Sequence, residues 1–476
     1  MPPICDLSAS ELARRIRERS LSPVEVVETH IERNLALNTA INALVTPTFA
    51  HAREQAHAAA IAIERGEVWG PLHGVPFTVK DSYDVAGVRS TGGLISRSDH
   101  FPQHDATLVA RLRAAGAILL GKTNLPDNNG SYETNNLIFG RTNNAWDVTR
   151  SAGGSTGGEA ALIAAGGSPL GIGSDIAGSI RLPAHFNGIV GLHPTSAALP
   201  DDGFWHAIAG SMSDLNALGP MARRVEDVAL AWAVLNEREP QPITPDVLHG
   251  QRLAYWFTDG IIPSSRAVRG GVQAAVRALA QAGMQPVAHA PAARRWASIG
   301  FGVHFQQAGD DYARGFGNGT RWTARSELAR WLSGRGRVGA ESLSLWLLLE
   351  TLNPLAAPLI DSGQWREQLR HQFAEIVGSD GIAVCPVFPT TAPKHGWSRT
   401  AALFTSSYTT WVNLAGLPAL AVPVGFSGKG MPVGVQIVGN PHSEDLLLAA
   451  GMVLQTALRP VWRTPPLVQT LVACRR

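Results

Sequence analysis

Short apolar runs and polar punctuation alternate along this chain, and their texture changes twice. The opening region reads as helical. Ser8-x-x-Glu11 and Ser22-Pro23-x-Glu25 both have the form of helix starts, the second with Ser at N-cap, Pro at N1 and Glu at N3. A third helix is predicted over Phe49–Arg65. Then Val75-Pro-Phe-Thr-Val79 is short, apolar and β-prone, Asp105 is placed to cap a helix through Ala115, and Ala117–Leu120 reads as a strand. The alternation continues to about Ala198 and predicts an α/β architecture. The segment 151–191 is dense in Gly and Ser between short apolar runs and reads as tight loops linking core elements. From about 236 to 375 the pattern is less regular. Six of the 13 tryptophans fall between Trp256 and Trp365, as ordinary packing or as an apolar wall over a substrate cleft. After Asp380 strand-like runs return at Ile382–Val384, Ala419–Val424 and Val433–Val438.

Composition narrows the function classes. A length of 476 residues with 45% hydrophobic content supports a large core. The net charge of +2, without a basic cluster, argues against a nucleic-acid partner. Cys5, Cys385 and Cys474 form neither a disulfide framework nor a metal pattern, so a reducing, cytoplasmic setting is expected. The first residues contain no apolar h-region or small-residue cleavage site, which argues against a secretory signal. The most apolar stretch, Leu343–Ile360, is interrupted by Glu350, Asn353, Pro354 and Pro358, so no stable membrane span is expected. The chain holds only four lysines, Lys80, Lys122, Lys394 and Lys429; the other 36 of its 40 basic residues are arginines. Each lysine therefore merits individual inspection.

Two familiar patterns match in form and fail in chemistry. Gly116-Ala-Ile-Leu-Leu-Gly121-Lys122-Thr123 fits the phosphate-loop spacing, but its middle is a buried-strand sequence and Asn124-Leu-Pro126 follows where a helix should start. Gly153-Gly-Ser155-Thr-Gly157 fits the nucleophile elbow, but Thr149-Arg-Ser-Ala152 is no apolar strand. No zinc spacing is present, and no cofactor or metal is expected.

Three segments make chemical sense together. Lys80 directly follows an apolar strand; burial there lowers a lysine's pKa, and a neutral lysine can act as a base where arginine cannot. Glycines flank Ser155-Thr156 within Ser151–Glu159, allowing unusual dihedrals and close approach to the hydroxyl. In Gly173-Ser-Asp-Ile-Ala-Gly-Ser179-Ile-Arg181, small residues lead into a serine, successive amides can form an oxyanion hole, and Asp175 and Arg181 can brace the loop. Taken singly, each has a plain structural alternative: an ion pair, a glycine turn, a loop serine.

Their combination resembles the amidase signature family. Ser155 follows Lys80 by 75 residues and Ser179 follows Ser155 by 24. Further matches are Asp105-Ala-Thr-Leu-Val109, Gly121-Lys-Thr-Asn124, Phe139-Gly-Arg-Thr-Asn143, Leu218–Arg223, Asn413–Pro418 and Gly434-Val-Gln436. The recognisable text covers roughly 70–235 and 380–455, and Gly157–Leu170 is most like the fatty acid amide hydrolase branch. Thr156 stands where a second serine is common, Ala177 where glycine is usual, and Ala145 and Ala152 replace frequent prolines. These departures bear on substrate shape, not on reaction type.

The resemblance implies an α/β fold with a single large mixed β-sheet flanked by helices on both sides, as one domain over 1–476. Within it lie a helical part at 1–68, a catalytic core at 70–235, a variable substrate-specific region at 236–375 and a C-terminal core part at 376–476. It implies an amidase with Ser179 as nucleophile, Ser155 in a cis peptide as proton relay and Lys80 as base. The amides of Ile176, Ala177, Gly178 and Ser179 would form the oxyanion hole, and Asn129, Thr156, Ser174 and Leu182 would contact substrate. The expected substrate is a small apolar acyl or aryl amide, with carbamates and esters as alternatives for the same groups; a homodimer is compatible with this reading. Leu182 stands where the glutamine-using subunit of tRNA amidotransferases typically has Gln, which weighs against a role as a partner-dependent subunit.

Overall fold

In the computed structural model, eleven strands hydrogen-bond into one mixed sheet with helices around it. The described residues are 3–205, 210–307, 311–356, 358, 361–458 and 463–473; Cys474 lies outside them. The strands are β1 (Leu44–Pro47), β2 (Pro76–Lys80), β3 (Ile118–Thr123), β4 (Asn135–Asn136), β5 (Gly140–Arg141), β6 (Leu170–Asp175) and β7 (Val190–His193). They continue as β8 (Ala217–Ala222), β9 (Arg252–Tyr255), β10 (Gln285–Val287), β11 (Ile382–Pro386), β12 (Ala419–Phe426) and β13 (Pro432–Gly439). The sheet order is β1-β3-β2-β6-β8-β7-β12-β13-β11-β9-β10, and β4 pairs with β5 separately.

The three strands that position the site, β3, β2 and β6, are mutually parallel, so their C-terminal ends share one edge. Ligands in α/β sheets sit outside such ends. All three strands are buried along their whole length, which is why they read as apolar runs without alternation. Side chains still alternate between faces. On β2, Phe77 and Val79 enter a core shared with Leu12, Val109, Val228 and Val272 from the surrounding helices. Thr78 and Lys80 point the other way, toward Glu159 and Ser155.

Caps at Ser8 and Ser22 form as predicted: Ser8 Oγ accepts from the Glu11 amide and Ser22 Oγ from the Val24 amide, with Pro23 at the first helical position. Asp105 is not a cap. The helix Thr107–Ala114 is preceded by Ala106, and the Asp105 carboxylate instead accepts from the Ala86 amide and pairs with Arg113 at 3.0 Å.

The segment 151–191 is not a set of loops. It holds the helix Gly157–Ala164, strand β6 and the helix Arg181–Asn187. Its glycines serve close packing: a Cβ on Gly171 would lie 1.8 Å from Glu159 Oε1, and one on Gly173 would lie 2.5 Å from Thr156 Cγ2. Glycine content that usually marks turns here lets a helix seat directly on a strand. The 236–375 region is also more regular than its sequence texture. β9 and β10 join the sheet, and the helix Arg266–Gln281 buries Val268, Val272, Ala275 and Leu279 in the main core. The helices Ala297–Gln307 and Ala340–Ala356 stand over the sheet edge. Among the described residues, no helix is long and apolar enough to cross a membrane.

Candidate active site

β2 delivers Lys80 to the sheet edge fully buried. Its Nζ lies 2.7 Å from Ser155 Oγ and 2.8 Å from Ser174 Oγ. No carboxylate among the described residues is in ion-pair contact with it. Burial drives the Lys80 amine well below its ordinary pKa, against the opposing charges of Asp175 and Glu159. Glu159 is itself pushed up to about 8 by burial, despite hydrogen bonds from Thr78 and Thr123. At neutral pH that carboxyl is largely protonated, which leaves Asp175 as the standing negative charge nearby.

Ser155 follows a cis peptide bond, Gly154–Ser155. A Cβ on Gly154 would lie 2.8 Å from the Ser131 carbonyl, so the backbone here is pressed against its neighbour. The next residue ties this segment to the Ser179 loop: the Thr156 amide donates to the Ser179 carbonyl at 3.2 Å, and Thr156 Oγ1 donates to the Ser174 carbonyl at 3.1 Å. The structure thus gathers Lys80, Ser155 and Ser179, 99 residues apart at the extremes, into one corner.

The Ser179 loop leaves the end of β6 and is braced as the sequence suggests. Asp175 and Arg181, both fully buried, pair at 3.0 Å. Burial pushes the Asp175 carboxyl up, but the Arg181 guanidinium and hydrogen bonds from Arg181 and Asn413 overcome it and hold the group well below the carboxylate range. Arg181 also donates to the Thr409 carbonyl, Gln436 Oε1 and Asn413 Oδ1, binding the loop to the helix Ser407–Ala415 and to β13. Sequence reading missed Asn413 and Gln436 as members of this brace, because each lies more than 200 residues away from Asp175 in the chain.

The four amides expected as an oxyanion hole are not equivalent. Gly178, at φ +116°, donates its N–H to Asp175 Oδ1 at 2.6 Å. The amides of Ile176, Ala177 and Ser179 have no acceptor among the described residues and remain available.

Ser179 lines a largely apolar cleft. Ile176 and Ala177 line it from the core, and Phe301, Phe305, Leu345, Trp346 and Leu349 from the two overlying helices. Lys80 and Ser155 lie behind this surface. Of the expected substrate contacts, Asn129 lines the cleft. Thr156, Ser174 and Leu182 do not: Thr156 and Ser174 stand in the layer around Lys80, and Leu182 packs against the Phe186 cluster. Sequence reading did not single out Tyr132 or Phe305, since neither sits in a distinctive motif.

The Trp-rich region divides. Trp346 lines the cleft, Trp322 stacks on Phe316 at 4.5 Å behind it, Trp256 packs on Trp411, and Trp296 and Trp331 are exposed. Among the described residues no group of His, Cys, Asp and Glu is arranged to hold a metal ion.

Comparison with known proteins identifies the family. The Amidase family model matches residues 25–448. The chain is 32% identical to human fatty-acid amide hydrolase 2, over 95% of this chain and 89% of that protein. It is 33% identical to a subunit of the glutamyl-tRNA(Gln) amidotransferase of Carboxydothermus hydrogenoformans, over 93% of this chain and 95% of that one. The solved structure of 6-aminohexanoate cyclic dimer hydrolase with its substrate superimposes with a TM-score of 0.79 at 26% identity, covering 98% of this chain and 99% of that one. With a family model across most of its length and relatives of this similarity over nearly all of it, the chain belongs to the amidase signature family.

Proposed function

We propose that this protein hydrolyses carbon–nitrogen bonds of amides through a Ser179 acyl-enzyme, with Ser155 and Lys80 as its proton relay. The observation that carries the reading is the 2.7 Å contact between the buried Lys80 amine, which has no ion pair among the described residues, and Ser155 Oγ, in a segment hydrogen-bonded to the Ser179 loop. Ser179 Oγ attacks the carbonyl carbon and gives its proton to Ser155 Oγ, while Ser155 passes its own to the neutral Lys80 Nζ. The amides of Ile176, Ala177 and Ser179 receive the developing oxyanion. The lysine proton returns through Ser155 to the leaving nitrogen, and the C–N bond breaks. Water then attacks the acyl-Ser179 ester, loses its proton along the same relay and frees the acid.

The apolar cleft wall of Phe301, Phe305, Leu345 and Trp346 favours an apolar acyl or aryl amide. Carbamates and esters fit the same chemistry, and a panel of aryl amide, primary amide, carbamate and ester substrates ranks them by kcat/KM. Ser179→Ala should abolish covalent labelling by a fluorophosphonate and lower kcat by about 10⁴-fold or more. Labelling that persists in that variant, or appears on Ser155, would sink the assignment.

A further inference from the structure

The cleft wall is mostly apolar; besides Asn129, Ser131 and Ser179, it carries one further group of hydroxyls. Tyr132, Ser298 and Ser406 all line it. The Tyr132 hydroxyl is hydrogen-bonded to Ser406, and Ser406 Oγ donates to Ser298 Oγ at 2.8 Å. Burial keeps the Tyr132 phenol protonated. The three residues come from three separate parts of the chain: the loop after β3, the first turn of the helix Ala297–Gln307, and the residue before the helix Ser407–Ala415. Three hydroxyls joined by two links leave one hydrogen over, and Ser298, at the end of the chain, is placed to direct it into the cleft. Ser298 is only half-buried, so that hydrogen is within reach of a molecule in the cleft.

The chain also adjoins the reacting centre. Thr409 Oγ1 donates to the Ala177 carbonyl at 2.6 Å and to the Ser406 carbonyl at 3.2 Å, so one side chain bridges the oxyanion loop and the hydroxyl chain. Linked hydroxyls polarise one another, which strengthens the terminal donor. A bare hydrocarbon placed over Ser298 would leave this donor dry and unpaired, which is unfavourable; an acceptor oxygen would satisfy it.

We propose that Tyr132, Ser406 and Ser298 form a binding subsite for a hydrogen-bond-accepting oxygen, so that the preferred ligand is an apolar amide carrying a second acceptor, such as an ether or carbonyl, a few atoms from the scissile bond. The proposal rests on the amide-hydrolase reading of the cleft for the ligand class, and on the hydroxyl chain for the acceptor.

The test uses full-length protein and matched anilides that differ by one CH2-to-ether-oxygen exchange, stepped along the acyl chain and along the amine substituent. Affinities are measured calorimetrically on the Ser179→Ala protein, so turnover is not required. At one position the ether should bind about tenfold more tightly than its hydrocarbon partner. Adding Ser298→Ala should bring that ratio to about one, and adding Ser298→Thr in its place should restore it. Equal affinities at every position, or a preference that survives Ser298→Ala, would overturn the proposal. Failure of the mechanism itself has a different signature: wild-type protein that is not labelled at Ser179 while the ether preference stands.

Discussion

Two lysines sit at the ends of neighbouring strands, both fully buried, and their surroundings are opposite. Lys80 closes β2 and Lys122 lies near the end of β3, where it pairs in register with Val79; the two therefore point to opposite faces of the sheet. Burial lowers the pKa of both. Lys122 meets the Asp81 carboxylate at 2.9 Å and Ser90 Oγ, a complete ion pair in the interior. Lys80 meets two hydroxyls and, among the described residues, no carboxylate. Charge partnership, not depth, separates them. A paired buried lysine holds its proton as part of the fold. One with only neutral partners is free to exchange it, and its neighbours are serines.

The largest effect should come from removing the Lys80 amine. Lys80→Ala is expected to lower kcat/KM by about 10³-fold or more, and Lys80→Arg should fail to rescue it, since guanidinium does not deprotonate. Retention of most of the wild-type rate in either variant would remove Lys80 from the mechanism. The mirror experiment reads stability. Lys122→Ala strands a buried carboxylate and should cost about 3–5 kcal/mol in denaturant unfolding, whereas the Asp81→Asn/Lys122→Met pair should recover much of that loss. A Lys122→Ala protein as stable as wild type would dissolve the contrast between the two lysines.

A third test is the pH profile. The Lys80 pKa is depressed, so the neutral base is populated above that lowered value, and kcat/KM should rise with pH through it and fall as the amine protonates below it. Glu159→Gln replaces a carboxyl that is already largely neutral at and below neutral pH, so the acidic limb should stay nearly where it is; a shift of a full pH unit or more would contradict this electrostatic picture. The smallest loss is expected at Ser174, the second hydroxyl on Lys80. Ser174→Ala should cost about 1 kcal/mol in stability and up to about tenfold in kcat, with fluorophosphonate labelling of Ser179 retained.

Much of this architecture was legible in the chain. Ser8 and Ser22 announce their helices because capping is local chemistry, satisfied within three residues. Five of the sheet strands stood out because runs such as Val75–Val79 are buried on both sides. The other six did not; of these, β1 (Leu44–Pro47) is short, and the glycines of β6 (Leu170–Asp175) imitate a turn until Glu159 and Thr156 are seen pressing on them. Asp105 satisfied the rule for a cap and serves the fold elsewhere, since a distant amide and Arg113 compete for the same carboxylate.

The same division runs through the site. The sequence grouped Lys80, Ser155 and Ser179 through residue types in short, glycine-rich contexts whose combination resembles the amidase signature family, and it offered Asp175 and Arg181 as a brace. Only the tertiary structure decided the rest. Folding turned Ser174 from the cleft toward the lysine, engaged the Gly178 amide with Asp175, and brought Phe301, Phe305 and Trp346 over Ser179 from a region whose sequence had no distinctive pattern. The physical reason is distance along the chain. A cap or a nucleophile loop is specified by neighbours a few residues away, whereas the wall of a cleft is specified by which long-range surfaces exclude water together.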